Sequence, residues 1–132
     1  MDRWKHTRAW IVLAIVGCEL SVATPARADD EIDRILAASG KVRYEQYCTS
    51  CHGAGGAPGS KAKSDLRTYV ARHGGKFPAA DWLAIVADAR PASPHTKVWE
   101  HIRKDQLGTT SDAAARGTLG QIARYIISIQ SQ

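Results

Sequence analysis

Methionine and cysteine are both scarce in this chain. The 132 residues include one methionine, Met1, and three cysteines, Cys18, Cys48 and Cys51. A structural zinc site takes about four ligands, often as two cysteine pairs, and a second pair is missing here. A disulfide between Cys48 and Cys51 would close a very small loop and restrict little chain entropy. The sequence therefore disfavours both a zinc module and a disulfide-built scaffold.

The sequence also lacks the alternation of polar and apolar residues that is typical of half-buried strands, and it has amphipathic stretches at helical spacing instead. Its length suits one domain with a modest core. Charge is only mildly unbalanced, since 18 Lys and Arg against 13 Asp and Glu give a formal net charge of +5. This excess comes without an aromatic-basic stripe, so no nucleic-acid partner is predicted. We expect a single all-α domain.

Residues 1–28 have the layout of a signal peptide. Basic residues precede a short apolar run, Ala9–Cys18, and the small-residue pattern Ala26-Arg27-Ala28 lies just before acidic residues. The run is too short to span a bilayer comfortably, which takes about 20 apolar residues. We predict cleavage after Ala28, which leaves residues 29–132 as a mature periplasmic domain.

A rival processing site overlaps the end of the apolar run. Residues Ile15–Cys18 resemble a bacterial lipoprotein box, in which the cysteine is acylated and becomes the first residue. Under this alternative the exported protein is anchored to the membrane through Cys18. Cleavage after Ala28 would instead leave Cys48 and Cys51 as the only cysteines, with no methionine.

The segment Cys48-Thr49-Ser50-Cys51-His52 is the most informative motif in the sequence. Two cysteines at this spacing share one face of a helical turn, so both thiols can reach the two vinyl groups of one porphyrin. His52 follows directly, and a neutral imidazole can ligate the iron. A thioredoxin-type redox pair is expected between a strand and a helix, and no strand pattern precedes Cys48. We therefore predict one covalent haem c, attached through Cys48 and Cys51.

Residues on both sides of the motif carry a family resemblance. Gly40, Tyr44 and Cys48 recur every four residues before it, and IARYIISIQ lies near the end of the chain. With the short helices between them, these features resemble a small class I c-type cytochrome. The resemblance implies a cytochrome c-like fold, in which the N- and C-terminal helices cross and short helices and loops enclose the haem. It also implies that His52 is the proximal iron ligand.

Local patterns predict where the terminal helices meet. The first helix is expected over about Asp30–Cys48, with a break at Ser39–Gly40, and the last helix runs to the C-terminus. Gly40 and Gly120 would let the two backbones approach closely. Tyr44 and Tyr125 are expected to pack around this crossing.

The glycine-rich segment 53–64 directly follows His52 and is a predicted loop, because its glycines and proline disfavour regular structure. Glycine permits a close approach, so the loop is expected to wrap the flat edge of the ring. Ser64 is the predicted N-cap of a short helix over Asp65–Arg72.

The missing methionine is the main departure from the family, whose common form binds the far side of the iron with a methionine late in the chain. This chain has Thr96–Trp99 at the corresponding segment. Lys97 would cost about 4–5 kcal/mol to deprotonate near pH 7, whereas a histidine costs almost nothing. The alignment and this comparison favour a histidine as the distal iron ligand.

His95 lies where the family's ligand loop is expected, so it is our predicted distal ligand. His101 is the runner-up, because it shares a helix side with Val98 that would turn inward. His73, Lys97 and an open or water-filled site remain as alternatives.

The predicted function is one-electron transfer between a periplasmic redox donor and an acceptor protein. Two imidazole ligands would give a lower potential than the histidine–methionine pair. The sequence offers no general base or nucleophile, so an enzyme is not predicted. Two alternatives remain: a haem-based gas-binding or sensor protein, and a haem subunit of a larger dehydrogenase or oxidase complex. Membrane association is expected only through a lipidated Cys18 or a membrane-bound partner.

Overall fold

The computed structural model describes residues 25–62, 64–87, 93–106 and 112–130. These ranges contain six α-helices and no strand, which confirms the predicted all-α class. The helices are α1 (Pro25–Tyr47), α2 (Thr49–His52), α3 (Tyr69–Arg72), α4 (Ala79–Val86), α5 (His95–Asp105) and α6 (Asp112–Ser128). Short 3₁₀ helices at Ala54–Gly56 and Leu66–Thr68 lie between α2 and α3.

Most of the predicted export signal lies outside the described residues, including the alternative lipidation site at Cys18. The first described helix starts at Pro25, so the predicted cleavage point after Ala28 falls within its first turn. Among the described helices, none combines the length and apolar character that crossing a membrane requires.

The first helix continues through Gly40, so the predicted break at Ser39–Gly40 is wrong. A glycine inside a helix costs up to about 1 kcal/mol relative to alanine. Tertiary packing overrides this cost, because a Cβ at Gly40 would collide with the backbone carbonyl of Gln121 in α6. The missing side chain is what lets α1 and α6 touch backbone to backbone.

Aromatic packing accompanies this contact. The ring centroids of Tyr44 and Tyr125 lie 5.2 Å apart and the rings are tilted by 52°. Gly120 does not take part, since a Cβ there would meet no atom within 4 Å. The predicted role of Gly120 at the crossing is therefore wrong, and the backbone of Gln121 takes the place expected for it.

The core lies where α1, α5 and α6 meet. Its largest fully buried side chains belong to Tyr44, Ile102, Leu119, Ile122 and Ile126. Burial of each aliphatic side chain contributes roughly 1.5–3 kcal/mol relative to exposure. Because three of them recur at helical spacing along α6, this helix presents a continuous apolar stripe to the rest of the chain.

The segment before α3 is fastened to the end of the chain. Gln130 accepts a hydrogen bond from the Val70 backbone N–H at 2.8 Å and donates one to the Leu66 carbonyl at 2.9 Å. The cap of this segment is Asp65, whose carboxylate accepts from the Arg67 backbone N–H at 2.9 Å. The expected cap, Ser64, is therefore wrong by one residue.

Candidate functional site

A cavity of about 360 Å³ lies against the inner sides of α1, α2, α4, α5 and α6. This volume falls in the range of about 300–1,000 Å³ that is typical of small-molecule and cofactor sites. Its wall is largely apolar and aromatic and includes Tyr44, Tyr47, Leu66, Tyr69, Trp82, Ile85, Val86, Val98, Ile102, Leu119 and Ile122. Cys48, Cys51, His52 and His95 line the same cavity.

The predicted attachment residues lie on one helical turn at the cavity wall. The backbone N–H groups of Cys51 and His52 both donate to the Cys48 carbonyl, at 3.1 and 2.9 Å. This turn brings both cysteines to the cavity, where they are half-buried and are not joined to each other. Two thiols and an imidazole thus line one side of one cavity.

The glycine-rich loop after the motif folds back onto it. The Ala62 backbone N–H donates to the Cys51 carbonyl at 3.0 Å. A Cβ at Gly59 would collide with the same carbonyl, so the close approach requires glycine at this position. Lys61 and Ala62 line the cavity as a result of this fold-back. The part of the loop that the structure describes therefore closes over one side of the motif.

Tyr44 fixes the start of that loop. Its hydroxyl donates a hydrogen bond to the Gly53 carbonyl at 2.8 Å, and its side chain is fully buried. Burial is the main reason that the pKa of Tyr44 is raised to about 12. The phenol therefore keeps its proton, and the backbone at the end of α2 keeps its donor, over the whole physiological pH range.

The thiol of Cys48 is held in its protonated form. Burial raises its pKa to about 12, with a smaller contribution from Cys51. The thiolate is the reactive species in thiol–disulfide exchange, so this environment makes Cys48 a poor exchange nucleophile. The thioredoxin-type interpretation of the cysteine pair loses support on this ground.

His52 and His95 form a parallel pair in the cavity. Their ring centroids are 6.1 Å apart and their planes differ by 8°. A metal–imidazole bond is about 2 Å long and the ring centre lies roughly 1 Å beyond the nitrogen, so two axial imidazoles have centroids about 6 Å apart. The 6.1 Å separation of the ring centroids is compatible in length with both imidazoles binding one metal.

The surroundings of both imidazoles favour their neutral form. Burial lowers the pKa of His52 and of His95, and the neighbouring His95 lowers that of His52 further. The neutral ring is the form that ligates a metal. Neither residue therefore has to release a proton at neutral pH before it binds.

The runner-up distal ligand, His101, lies outside the cavity. His95, Val98 and Ile102 line the cavity, and these positions define the inner face of α5. The side chain of His101 is 60% exposed and lies 3.6 Å from the carboxylate of Asp105. The expected inward turn of His101 is wrong, because its position lies at the edge of the inner face, where the side chain is exposed and does not line the cavity.

The remaining alternatives also lie away from the cavity wall. His73 is exposed at the end of α3, and its Nδ1 is 2.7 Å from the Tyr69 carbonyl. Lys97 is exposed on α5. Neither lines the cavity, so His95 is the one distal candidate that the described residues place opposite His52.

Three buried polar atoms on the cavity wall have no hydrogen-bond partner among the described residues. They are Nδ1 of His52, the hydroxyl of Tyr69 and Nε1 of Trp82, which belong to residues that line the cavity but are themselves buried. Each such atom costs about 1–3 kcal/mol. The Tyr69 and Trp82 groups are donors, and the cations of Arg72 and Lys61 lie on the same wall. The cations of Arg72 and Lys61 on the lining suit a ligand with carboxylates, such as the propionates of a haem.

The sequence did not point to Tyr69 or Trp82 as site residues. In the sequence, Trp82 is one residue of the apolar face of α4. Tyr69 is part of a short helix. No local pattern shows that a hydroxyl or indole N–H will be buried beside a cavity, because that depends on how distant segments pack. Unpaired donors are visible only in three dimensions.

A metal site made by the protein alone has no support in the described ranges. Within them, no three or more His, Cys, Asp or Glu side chains come together to hold a metal ion. His52 and His95 would supply two ligands, and a porphyrin supplies the other four to iron. The pair therefore fits a haem better than a bare metal ion.

A second, shallower depression of about 440 Å³ lies on the other side of the α1–α6 contact. It is lined by Leu36, Arg43, Gln106, Ala114, Gly117, Thr118, Gly120, Gln121 and Arg124. No cysteine or histidine is among these lining residues, so it offers no counterpart to the cavity.

No protein-family model matches this chain, and neither the curated proteins nor the solved structures give a match. The functional interpretation therefore depends on the cavity and the residues that line it.

Proposed function

We propose that this protein is a monohaem c-type cytochrome that transfers single electrons. Cys48 and Cys51 would hold the haem through thioether bonds, and His52 and His95 would ligate the iron. The observation that carries the proposal is the convergence of these four residues on one cavity, with the two imidazoles parallel and 6.1 Å apart.

The architecture supports the same proposal at the level of the fold. Helices α1 and α6 are in backbone contact, and short helices and a loop surround a cavity, as the proposed cytochrome c-like fold would require. The cavity lies beside this contact, since Tyr44 of α1 and Leu119 and Ile122 of α6 line it.

The chain's own residues would do three things for such a group. Cys48 and Cys51 fix its position covalently, His52 and His95 donate neutral nitrogens, and the apolar wall excludes water. When bound, a haem supplies a one-electron couple, and the protein sets its potential through the axial ligands and burial. A second imidazole in place of a thioether places this couple at lower potential than in a histidine–methionine cytochrome.

His95 favours an electron carrier over a gas sensor. A sensor needs an open or labile distal position, whereas His95 lines the same cavity as His52 and has a pKa that burial lowers. We therefore infer transfer between a redox donor and an acceptor protein outside the cytoplasm, without a bound substrate.

Coexpression of the full chain with a bacterial cytochrome c maturation system tests the proposal. We expect a coloured mature protein whose mass exceeds that of the polypeptide by one haem, and whose haem stays attached after denaturation. The double variant Cys48→Ser with Cys51→Ser loses the covalent haem, whereas the matched Ser50→Ala variant keeps it. A colourless wild-type protein with the mass of the bare polypeptide would overturn the proposal.

A further inference from the structure

Two hydrogen-bond donors converge on one carboxylate oxygen beside the cavity, and an imidazole nitrogen lies near it. The Tyr47 hydroxyl lies 2.8 Å from Oδ2 of Asp105, and Nε2 of Gln46 lies 3.0 Å from the same atom. Nε2 of His101 is 3.6 Å away. Tyr47 ends α1 and Asp105 ends α5, so this carboxylate joins two helices that border the cavity.

Tyr47 connects that carboxylate to the cavity. Its side chain lines the cavity and is 6% exposed. Burial, and then the hydrogen bond and charge of Asp105, raise the pKa of Tyr47 to about 12. The phenol therefore remains a donor, and Asp105 accepts from it as an anion one aromatic ring away from the cavity. The Arg43 guanidinium opposes this effect at Tyr47, but more weakly than Asp105 acts.

The position of Asp105 on its own helix does not favour a charge. Asp105 is the last residue of α5, and the partial negative charge of a helix C-terminus disfavours an anion there. An asparagine would accept the same hydrogen bond from Tyr47 without that cost. The carboxylate is therefore placed where its charge is a disadvantage to the helix.

We propose that Asp105 is a positioning residue that holds Tyr47 at the cavity wall and places a negative charge that lowers the potential of the haem. The oxidised haem carries one more positive charge than the reduced haem, so a nearby anion favours the oxidised state. This inference rests on the proposed function, and it adds a second device, besides the two imidazoles, that lowers the potential.

A redox titration of the haem-loaded protein with the variant Asp105→Asn tests the inference. Asparagine keeps the size and the acceptor but removes the charge. The titration is run at the same pH for every variant. At the wild-type midpoint potential, the ratio of reduced to oxidised haem should rise roughly three- to tenfold. A tenfold change corresponds to about 59 mV for a one-electron couple.

Asp33→Asn is the matched control. Asp33 is an exposed carboxylate paired with Arg124 at 3.1 Å, and Arg124 lines the second depression rather than the cavity. We expect the midpoint potential of the Asp33→Asn variant to equal that of the wild type. Should Asp105→Asn accumulate poorly, Asp105→Ser also removes the charge and should shift the potential in the same direction.

The outcomes separate this inference from the proposed function. Haem content is measured first, by mass, in every variant. Haem missing from the wild type overturns the proposed function. Haem present in all variants, with equal potentials for the wild type, Asp105→Asn and Asp33→Asn, overturns the role of Asp105 alone.

Discussion

The two faces of α5 each carry a histidine, and the fold gives them different surroundings. On the inner face, His95 is half-buried in the cavity, with its ring parallel to that of His52 and its pKa lowered by burial. On the outer face, six positions further along the chain, the side chain of His101 is 60% exposed beside the carboxylate of Asp105. The same side chain is thus a candidate metal ligand in one place and part of a surface network in the other.

Helical phase explains this difference. Positions 95, 98 and 102 of α5 recur at helical spacing and line the cavity, whereas position 101 lies at the exposed edge of this face. Residue type therefore does not identify a distal ligand on this helix. The direction in which the helix points a side chain identifies the candidate ligand.

The strongest expected contrast between the two faces is in stability. The variant Ile102→Ala should unfold with a free energy lower by about 2–5 kcal/mol, because Ile102 is fully buried on the inner face. Lys104→Ala, exposed on the same helix, should change the unfolding free energy by less than about 0.5 kcal/mol. Urea unfolding of both variants measures the contrast. Equal losses in the two variants would mean that the assigned phase of α5 is wrong.

Gly40 of α1 and Gly120 of α6 provide a second contrast between a packed and an exposed position. Gly40→Ala should destabilise the protein by about 1–3 kcal/mol, because the new Cβ collides with the backbone of α6. Gly120→Ala, which points into open space, should stabilise it by up to about 1 kcal/mol. Thermal unfolding distinguishes the two signs. A neutral Gly40→Ala would show that the helices do not meet there.

The dependence of stability on alkaline pH tests the burial of Tyr44 on α1. The folded-state pKa of Tyr44 is raised to about 12 from the ordinary value of 10.0. Its contribution to stability is therefore fully present below pH 10 and is lost as the pH rises towards 12. Two pKa units correspond to a loss on the order of 2 kcal/mol. Unfolding free energies across this range should fall less steeply in Tyr44→Phe, and an unchanged slope would contradict the assigned burial.

A smaller effect is expected where the cavity wall has unpaired donors. In protein made without haem, Tyr69→Phe should leave stability unchanged or raise it by about 1 kcal/mol, because an unsatisfied hydroxyl is removed. In haem-loaded protein it should lower stability by about 1–3 kcal/mol through a lost bond to a carboxylate. The measurement compares thermal unfolding of both forms. The same sign in both would remove Tyr69 from ligand binding.

The chemistry of the site is readable from the sequence to the extent that it is local. The proposed attachment of one ring by two thiols and an adjacent imidazole needs neighbouring residues, and Cys48, Cys51 and His52 are neighbours in the chain. His95 is predicted because it lies in the expected ligand loop, immediately before Thr96 at the position of the missing methionine, and it does line the cavity with them.

The errors concern features that depend on tertiary packing. Gly40 was expected to break a helix, but contact with α6 overrides its low propensity. Gly120 has the same chemistry and faces open space. His101 was expected to turn inward with Val98, and the actual phase of α5 places only Val98 at the cavity. Propensity and spacing do not contain this information, because distant segments determine which side is covered.

The most direct test of the central claim is the low-temperature electron paramagnetic resonance spectrum of oxidised, haem-loaded wild type, His95→Ala and His101→Ala. We predict a low-spin spectrum for the wild type and for His101→Ala. His95→Ala should become high-spin, and its reduced form should bind carbon monoxide rapidly. A His95→Ala spectrum identical to that of the wild type would remove His95 from the iron and contradict this account.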